Sequence, residues 1–171
     1  MSMSSIIFIT GGERSGKSSF AQKIALEKCN SPVYFATARV LDDEFSLRVE
    51  RHKKDRDQRW RTIEEPMKLS FHIFSGEVVV LDCITLWLAN IFYSHDKDVE
   101  VSLNYAKTEW NKFISQDITL IAVSNELGMG VHGQTLETRR FTELHGWMNQ
   151  HVAQIAHEAF LMVSGIPLKL K

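Results

Sequence analysis

The clearest chemistry lies in the eight residues Gly11-Gly12-Glu13-Arg14-Ser15-Gly16-Lys17-Ser18, which fit G-x-x-x-x-G-K-S/T. The glycines let backbone N–H groups turn inward around phosphate oxygens. A helix starting here adds the positive end of its dipole. Lys17 is placed to reach β- and γ-phosphates, and the Ser18 hydroxyl to ligate Mg²⁺. Further on, the apolar run Val78-Val79-Val80-Leu81 ends in Asp82. That is the Walker B pattern, which sets a carboxylate beside the metal and its water shell. Together these parts imply a nucleoside triphosphate and Mg²⁺, and leave the base and the acceptor open. Asn111-Lys112 is followed by Phe113-Ile114, so the N-K-x-D guanine motif is missing and a Ras-like switch is disfavoured.

Other residues carry weaker signals. His52 lies among cations in Arg48–Arg56. Neighbouring positive charge favours neutral imidazole, which is a nucleophile, although a lone histidine in a charged run is more often part of a solvated face. Asn125 and Glu126 follow an apolar run. They either orient a substrate hydroxyl, with Glu126 as general base, or cap a turn. His145, His151 and His157 are six apart, a rotation of about 240° per step on a helix, so they spread around it and form no metal site. Trp60, Trp87, Trp110 and Trp147 are expected to pack a core or an interface rather than stack bases.

The elements that position these groups alternate. Ser5–Thr10, Val33–Thr37, Glu77–Leu81, Ile118–Ser124 and Phe160–Val163 read as strands, with a short last one at Leu168–Leu170. Helices are expected at Ser15–Cys29, Asp43–Arg59 (exposed, highly charged), Pro66–Phe74, Cys83–Phe92, Ser102–Ser115 and Leu136–Glu158. Strands separated by helices require crossover connections. The expected fold is therefore α/β, a P-loop NTPase (RecA-like) domain with a mostly parallel sheet and helices on both faces. Ligands bind such sheets beyond the carboxyl ends of the strands.

Composition bounds the rest. At 171 residues the chain is expected to form one domain over 1–171, since domains run to roughly 150 residues. Its 44% hydrophobic and 24% charged residues exclude disorder for the bulk of the chain. A net charge of −1 disfavours a nucleic-acid protein that works through a broad basic surface. No apolar run is long enough to span a membrane, and no signal peptide is evident. Cys29 and Cys83 form no C-x-x-C and read as two buried free thiols of a cytoplasmic protein.

Beyond the loop, ordered motifs recur over nearly the whole chain. They are G-G-x-R-S-G-K-S (Gly11–Ser18), A-T-A (Ala36–Ala38), L-D-D-E (Leu41–Glu44) and R-V-x-x-H (Arg48–His52) with Arg56. W-x-T-x-E-x-P (Trp60–Pro66), L-D-C-I-T-L-W-L-x-N (Leu81–Asn90) and S-N-E-L-G-x-G (Ser124–Gly130) follow. G-x-x-N-Q (Gly146–Gln150) and S-G-I-P-L-K-L-K (Ser164–Lys171) close the series. In these motifs the sequence resembles the bifunctional adenosylcobinamide kinase / adenosylcobinamide-phosphate guanylyltransferase family of cobalamin biosynthesis.

The resemblance implies two reactions. One phosphorylates the aminopropanol hydroxyl of adenosylcobinamide with ATP or GTP. The other transfers GMP from GTP to adenosylcobinamide phosphate through a guanylyl-histidine, which His52 would form. It further implies nucleotide contacts from Gly11, Gly12, Glu13, Arg14, Ser15, Gly16, Lys17 and Ser18, and from Ala36, Thr37 and Ala38. Lys53, Lys54, Asp55, Arg56, Glu64 and Asp82 complete that set, with Lys17 and His52 catalytic. Glu64 accepting from the guanine N1 and N2 edge is a hypothesis of base selection, against a surface salt bridge. A homo-oligomer is expected, with Trp87 and its apolar helix as candidate interface.

Two segments depart from the family pattern. Val131-His132-Gly133 stands where I-V-P is common, and glycine in place of proline is expected to loosen the loop. Phe141-Thr142-Glu143 stands for F-R-D, with Arg139 and Arg140 just before. Two rival readings are a small-molecule kinase with phosphoryl transfer only and a non-catalytic GTP-binding module. Neither requires His52.

Overall fold

The computed structural model describes residues 4–39 and 57–171. Seven strands form one sheet: β1 (Ser5–Gly11), β2 (Val33–Ala36), β3 (Arg61–Glu64), β4 (Ser75–Asp82), β5 (Asp117–Val123), β6 (Glu158–Val163) and β7 (Ile166–Lys169). The helices are α1 (Lys17–Lys28), α2 (Ile84–Ser94), α3 (Val99–Ile114) and α4 (Leu136–Ile155), with one 3₁₀ turn at Leu69–Phe71. The strand order is β3-β2-β4-β5-β1-β6-β7. Every pairing is parallel except β6 with β7. The expected α/β architecture is met.

Period-two alternation explains the layers, because successive strand side chains point to opposite faces. Ile6, Phe8, Val79, Leu81, Leu120 and Ala122 pack in one core with Trp87, Ile91, Trp110, Phe113 and Met148 of α2, α3 and α4. The alternate residues Ile7, Ile9, Val78, Val80, Ile121 and Val123 pack with Ala21 and Ala25 of α1. Each central strand is therefore apolar on both sides, as strands covered on both faces must be.

The structure departs from the sequence expectations at several places. The segment expected as a helix at Pro66–Phe74 makes only the turn Leu69–Phe71. Side chains take the backbone groups a helix would have used. Glu65 Oε1 accepts from the N–H of Met67 and Lys68, Glu109 Oε1 from Ser70, and Gln116 Oε1 from Phe74. Strand β3 was not expected. It is an edge strand with only Ile63 half-buried, so no apolar alternation marks it. Trp87 is no interface residue, being fully buried with its indole N–H donating to Met67 O at 2.9 Å. Gly133 also packs closely on the start of α4. A Cβ there would lie 2.6 Å from Thr138 Oγ1, which serves the capping box of α4 with Thr135. Of the charged helix expected at Asp43–Arg59, residues 43–56 lie outside the described residues, and Asp57–Arg59 form a turn rather than helix.

Candidate active site

The phosphate loop joins β1 to α1, and its backbone needs the residues it has. Gly11 has φ +152° and Gly16 φ +93°, values an L side chain resists. A Cβ on Gly11 would sit 2.6 Å from the Met162 carbonyl oxygen and 2.8 Å from Ser15 Oγ. Gly16 approaches Gly165 closely, with 3.2 Å from its would-be Cβ to the Gly165 Cα. Gly165 and Ser164, both at positive φ, make the two-residue turn of the β6–β7 hairpin. The Gly165 N–H then donates to Ser15 O at 3.0 Å, so this hairpin buttresses the loop.

Lys17 is buried at 7% exposure. Its Nζ donates to Gly12 O and to Ser15 Oγ, so the ammonium is folded under the loop it belongs to. Gly12, Glu13 and Arg14 are exposed, and Ser18 is half-exposed at the first turn of α1. A buried cation and a helix start both favour an anion at this loop.

Asp82 ends β4, separated from β1 by β5 alone. At roughly 4.8 Å per strand this sets its backbone about 10 Å from that of β1. Tyr34 donates its hydroxyl to Asp82 Oδ2 at 2.7 Å, and the Tyr34 ring meets Trp60 edge-on at 6.0 Å. Next to Asp82, Cys83 is inert. Burial, and then the Asp82 charge, push its thiol up to about 12.

Ala36, Asp82 and Glu64 are register partners at the ends of β2, β4 and β3. The Ala36–Ala38 segment is held from several sides. Thr37 Oγ1 donates to Cys83 O at 2.7 Å and accepts from the Cys83 N–H at 2.9 Å. Asn90 Nδ2 donates to Thr37 O at 2.8 Å and to Pro66 O at 3.0 Å. Thr37 is itself fully buried, so its hydroxyl shapes the loop, while Ala36 and Ala38 are half-exposed. Glu64 is exposed at the sheet edge.

The structure thus brings Gly11–Ser18, Ala36–Ala38, Glu64 and Asp82 to one carboxyl edge of the sheet. His52, Lys53, Lys54, Asp55 and Arg56 lie outside the described residues. Glu126 caps a turn, its Oε1 accepting from the Gly128 N–H at 2.8 Å, while its own N–H donates to Gly11 O at 2.9 Å. The helix expected over Leu136–Glu158 ends at Ile155, so His145 and His151 lie on α4 and His157 beyond it; their partners are Thr85 and Ser124 for His145, Asn111 for His151 and the Ile6 N–H for His157.

Sequence reasoning missed two parts of this edge. One is the hairpin turn at Ser164–Gly165 that supports the loop. The other is a buried cluster of Thr85, Ser124, His145 and Asn149 beneath Asn125. The i, i+4 spacing of His145 and Asn149 on one helix was the available signal.

A family model described as cobinamide kinase / cobinamide phosphate guanyltransferase matches residues 7–170. The chain is 35% identical to the bifunctional adenosylcobalamin biosynthesis protein CobU of Escherichia coli, over 97% of this chain and 99% of that one. It is likewise 35% identical to the bifunctional adenosylcobalamin biosynthesis protein CobP of Pseudomonas aeruginosa, over 95% of each. With the CobU protein of Salmonella typhimurium it shares 33% identity, over 97% of this chain and 99% of that one.

Proposed function

This chain belongs to the cobinamide kinase / cobinamide phosphate guanyltransferase family, and we propose that it carries out both reactions at the carboxyl edge just described. In the first, the adenosylcobinamide hydroxyl attacks the γ-phosphorus of ATP or GTP. The new O–P bond replaces the bond to the β-phosphate oxygen, and the hydroxyl proton is lost. In the second, a nitrogen of His52 attacks the α-phosphorus of GTP and pyrophosphate leaves. A phosphate oxygen of adenosylcobinamide phosphate then displaces His52, breaking the P–N bond and giving adenosyl-GDP-cobinamide. Two in-line displacements retain configuration at phosphorus.

The observation that carries this reading is Lys17, buried under the loop that follows β1, with Asp82 ending β4 at the same edge of the sheet. Its ammonium neutralises charge on the β- and γ-phosphate oxygens in both reactions. The Ser18 hydroxyl and the Asp82 carboxylate are hard oxygen donors of the kind Mg²⁺ takes, and the ion would spread the charge of the leaving phosphates. Tyr34 orients that carboxylate by occupying Oδ2. Glu64, beside Ala36 at the same edge, is the candidate acceptor for the guanine N1 and N2 edge. One domain over 1–171, a cytoplasmic location and assembly of like subunits complete the proposal. Among the described residues no helix is long and apolar enough to cross a membrane.

The test separates the two reactions. With GTP labelled at the α-phosphorus, the intact denatured chain should gain the mass of one GMP, in an acid-labile bond. His52→Asn should lose the adduct and guanylyl transfer while keeping most kinase activity, and Lys17→Ala should lose both. A His52→Asn variant that loses both activities equally, or an adduct that survives in it, would remove His52 as the nucleophile. Kinase activity with no adduct in the natural chain leaves a phosphoryl-transfer enzyme only.

A further inference from the structure

The buried cluster of Thr85, Ser124, His145 and Asn149 has no part in the reactions as written above. Each of the four is 8% exposed or less. Together they hold one residue, Asn125. Its N–H donates to Thr85 Oγ1 at 2.9 Å. Its carbonyl accepts from Asn149 Nδ2 at 3.1 Å and from Thr10 Oγ1 at 3.3 Å. Residues of β1, α2 and α4 therefore fix both main-chain polar groups of the residue that follows β5 and Ser124.

The hydrogen bonds assign the protons around His145. The Ser124 hydroxyl donates to Asn149 Oδ1 at 2.7 Å, which leaves its oxygen to accept from His145 Nε2 at 3.2 Å. His145 Nδ1 faces Asn149 Nδ2 at 3.5 Å and must be the unprotonated nitrogen. His145 Nε2 also lies 2.9 Å from Thr85 Oγ1, and the bonds made by Ser124 and Asn149 fit a neutral imidazole with its proton on Nε2. A protonated Nδ1 would set two donors face to face and release Asn149 from the Asn125 carbonyl.

Among the described residues the Asn125 carboxamide makes no hydrogen bond, and the residue is half-exposed. Its neighbour Glu126 is already committed to the Gly128 N–H. Strand β5 lies between the Asp82 strand and the phosphate-loop strand, with Val123 in register with both Asp82 and Ile9. A triphosphate held with its β-phosphate in the loop and its γ-phosphate toward Asp82 would cross the end of β5, the strand between the two. Asn125, two residues past the end of β5, brings an amide donor to that edge.

We propose that the Asn125 carboxamide donates to the γ-phosphoryl group of the bound triphosphate, with Thr85 and Asn149 as positioning residues that set its backbone. Ser124 and His145 act one step further back, by fixing Asn149. The proposal rests on the phosphoryl-transfer reading, and its test is kept separate by reading nucleotide binding alone.

The full chain is titrated calorimetrically with the β,γ-imido analogue of GTP and with GDP, in Mg²⁺ buffer. Asn125→Ala should weaken the analogue about tenfold, as expected for a hydrogen bond to a charged group, and leave GDP within about twofold. Thr85→Val should weaken the analogue several-fold, Thr85→Ser should restore it, and neither should add to Asn125→Ala in the double variant. Should Thr85→Val fail to fold, Asn149→Ala takes its place in the same cycle. Equal weakening of analogue and GDP by Asn125→Ala overturns the contact, and full additivity with Thr85→Val overturns the positioning. A chain that transfers no phosphate to adenosylcobinamide, yet keeps the Asn125-dependent preference for the triphosphate analogue, would refute the proposed reaction without touching this inference.

Discussion

Acid should weaken this fold earlier than its carboxylates can explain, and His145 is the reason. Burial lowers its pKa from the ordinary 6.5 to about 4. The groups around it are uncharged: Thr85 from α2, Ser124 after β5, and Asn149 and the Phe141 ring from its own helix. The unfolded chain therefore binds a proton at this site between about pH 6.5 and 4 while the folded chain does not. Where the unfolded state holds more protons, stability rises with pH, so it must fall as the pH is lowered through that window. Linkage with pKa values of 6.5 and 4 gives a loss of about 2.4 kcal/mol between pH 7 and pH 4.5. The salt-bridged carboxylates of Glu137 and Glu158 are held below their ordinary range by hydrogen bonds from Lys97 and Lys169. Their contribution is present above the ordinary carboxylate range and is lost below it, so it falls outside most of this window. His151 is also lowered, first by burial and then by Lys107, and acts in the same direction. It is common to the protein and to a His145→Gln variant, and cancels in the comparison. Urea unfolding of both at pH 7, 6, 5 and 4.5 gives the curves. The difference in stability between them should shrink by about 2.4 kcal/mol across the series, and the His145 imidazole should titrate near 4 by NMR. Parallel curves, or an imidazole titrating near 6.5, would refute the neutral buried histidine on which the cluster depends.

Two further expectations concern the edge itself. Gly11→Ala should cost about 3 kcal/mol or more in thermal unfolding and abolish nucleotide binding, because the new Cβ meets a backbone carbonyl at 2.6 Å from a strained φ; an unchanged melting temperature would show that the loop yields. Thr37→Val should cost about 2 to 3 kcal/mol, since it strips partners from both the N–H and the carbonyl of buried Cys83; a loss below about 0.5 kcal/mol would mean those groups find other partners.

How much of this was legible in sequence follows from where the signals come from. The phosphate loop could be read because only glycine tolerates the φ of Gly11 and Gly16 next to a lysine that must be buried. The central strands could be read because burial on both faces makes them apolar throughout. Strand β3 could not, because an edge strand needs only backbone pairing, and Arg61-Thr62-Ile63-Glu64 carries no alternation. The turn at Leu69–Phe71 was misread for a related reason. Its sequence allows a helix, and the choice is made by Glu65, Glu109 and Gln116, two of them some forty residues away. The cluster around Asn125 was hidden in the same way. Thr85, Ser124, His145 and Asn149 each look ordinary on their own element, and they meet only when α2 and α4 pack on one face of the sheet. His145 is the instructive case. Helix rotation separates it from His151, His157 lies past the helix end at Ile155, and each of the three has a different partner. Yet its position on α4 is what sends His145 inward, to a place where a neutral imidazole can hold Asn149 and, through it, Asn125, whose carboxamide makes no hydrogen bond among the described residues.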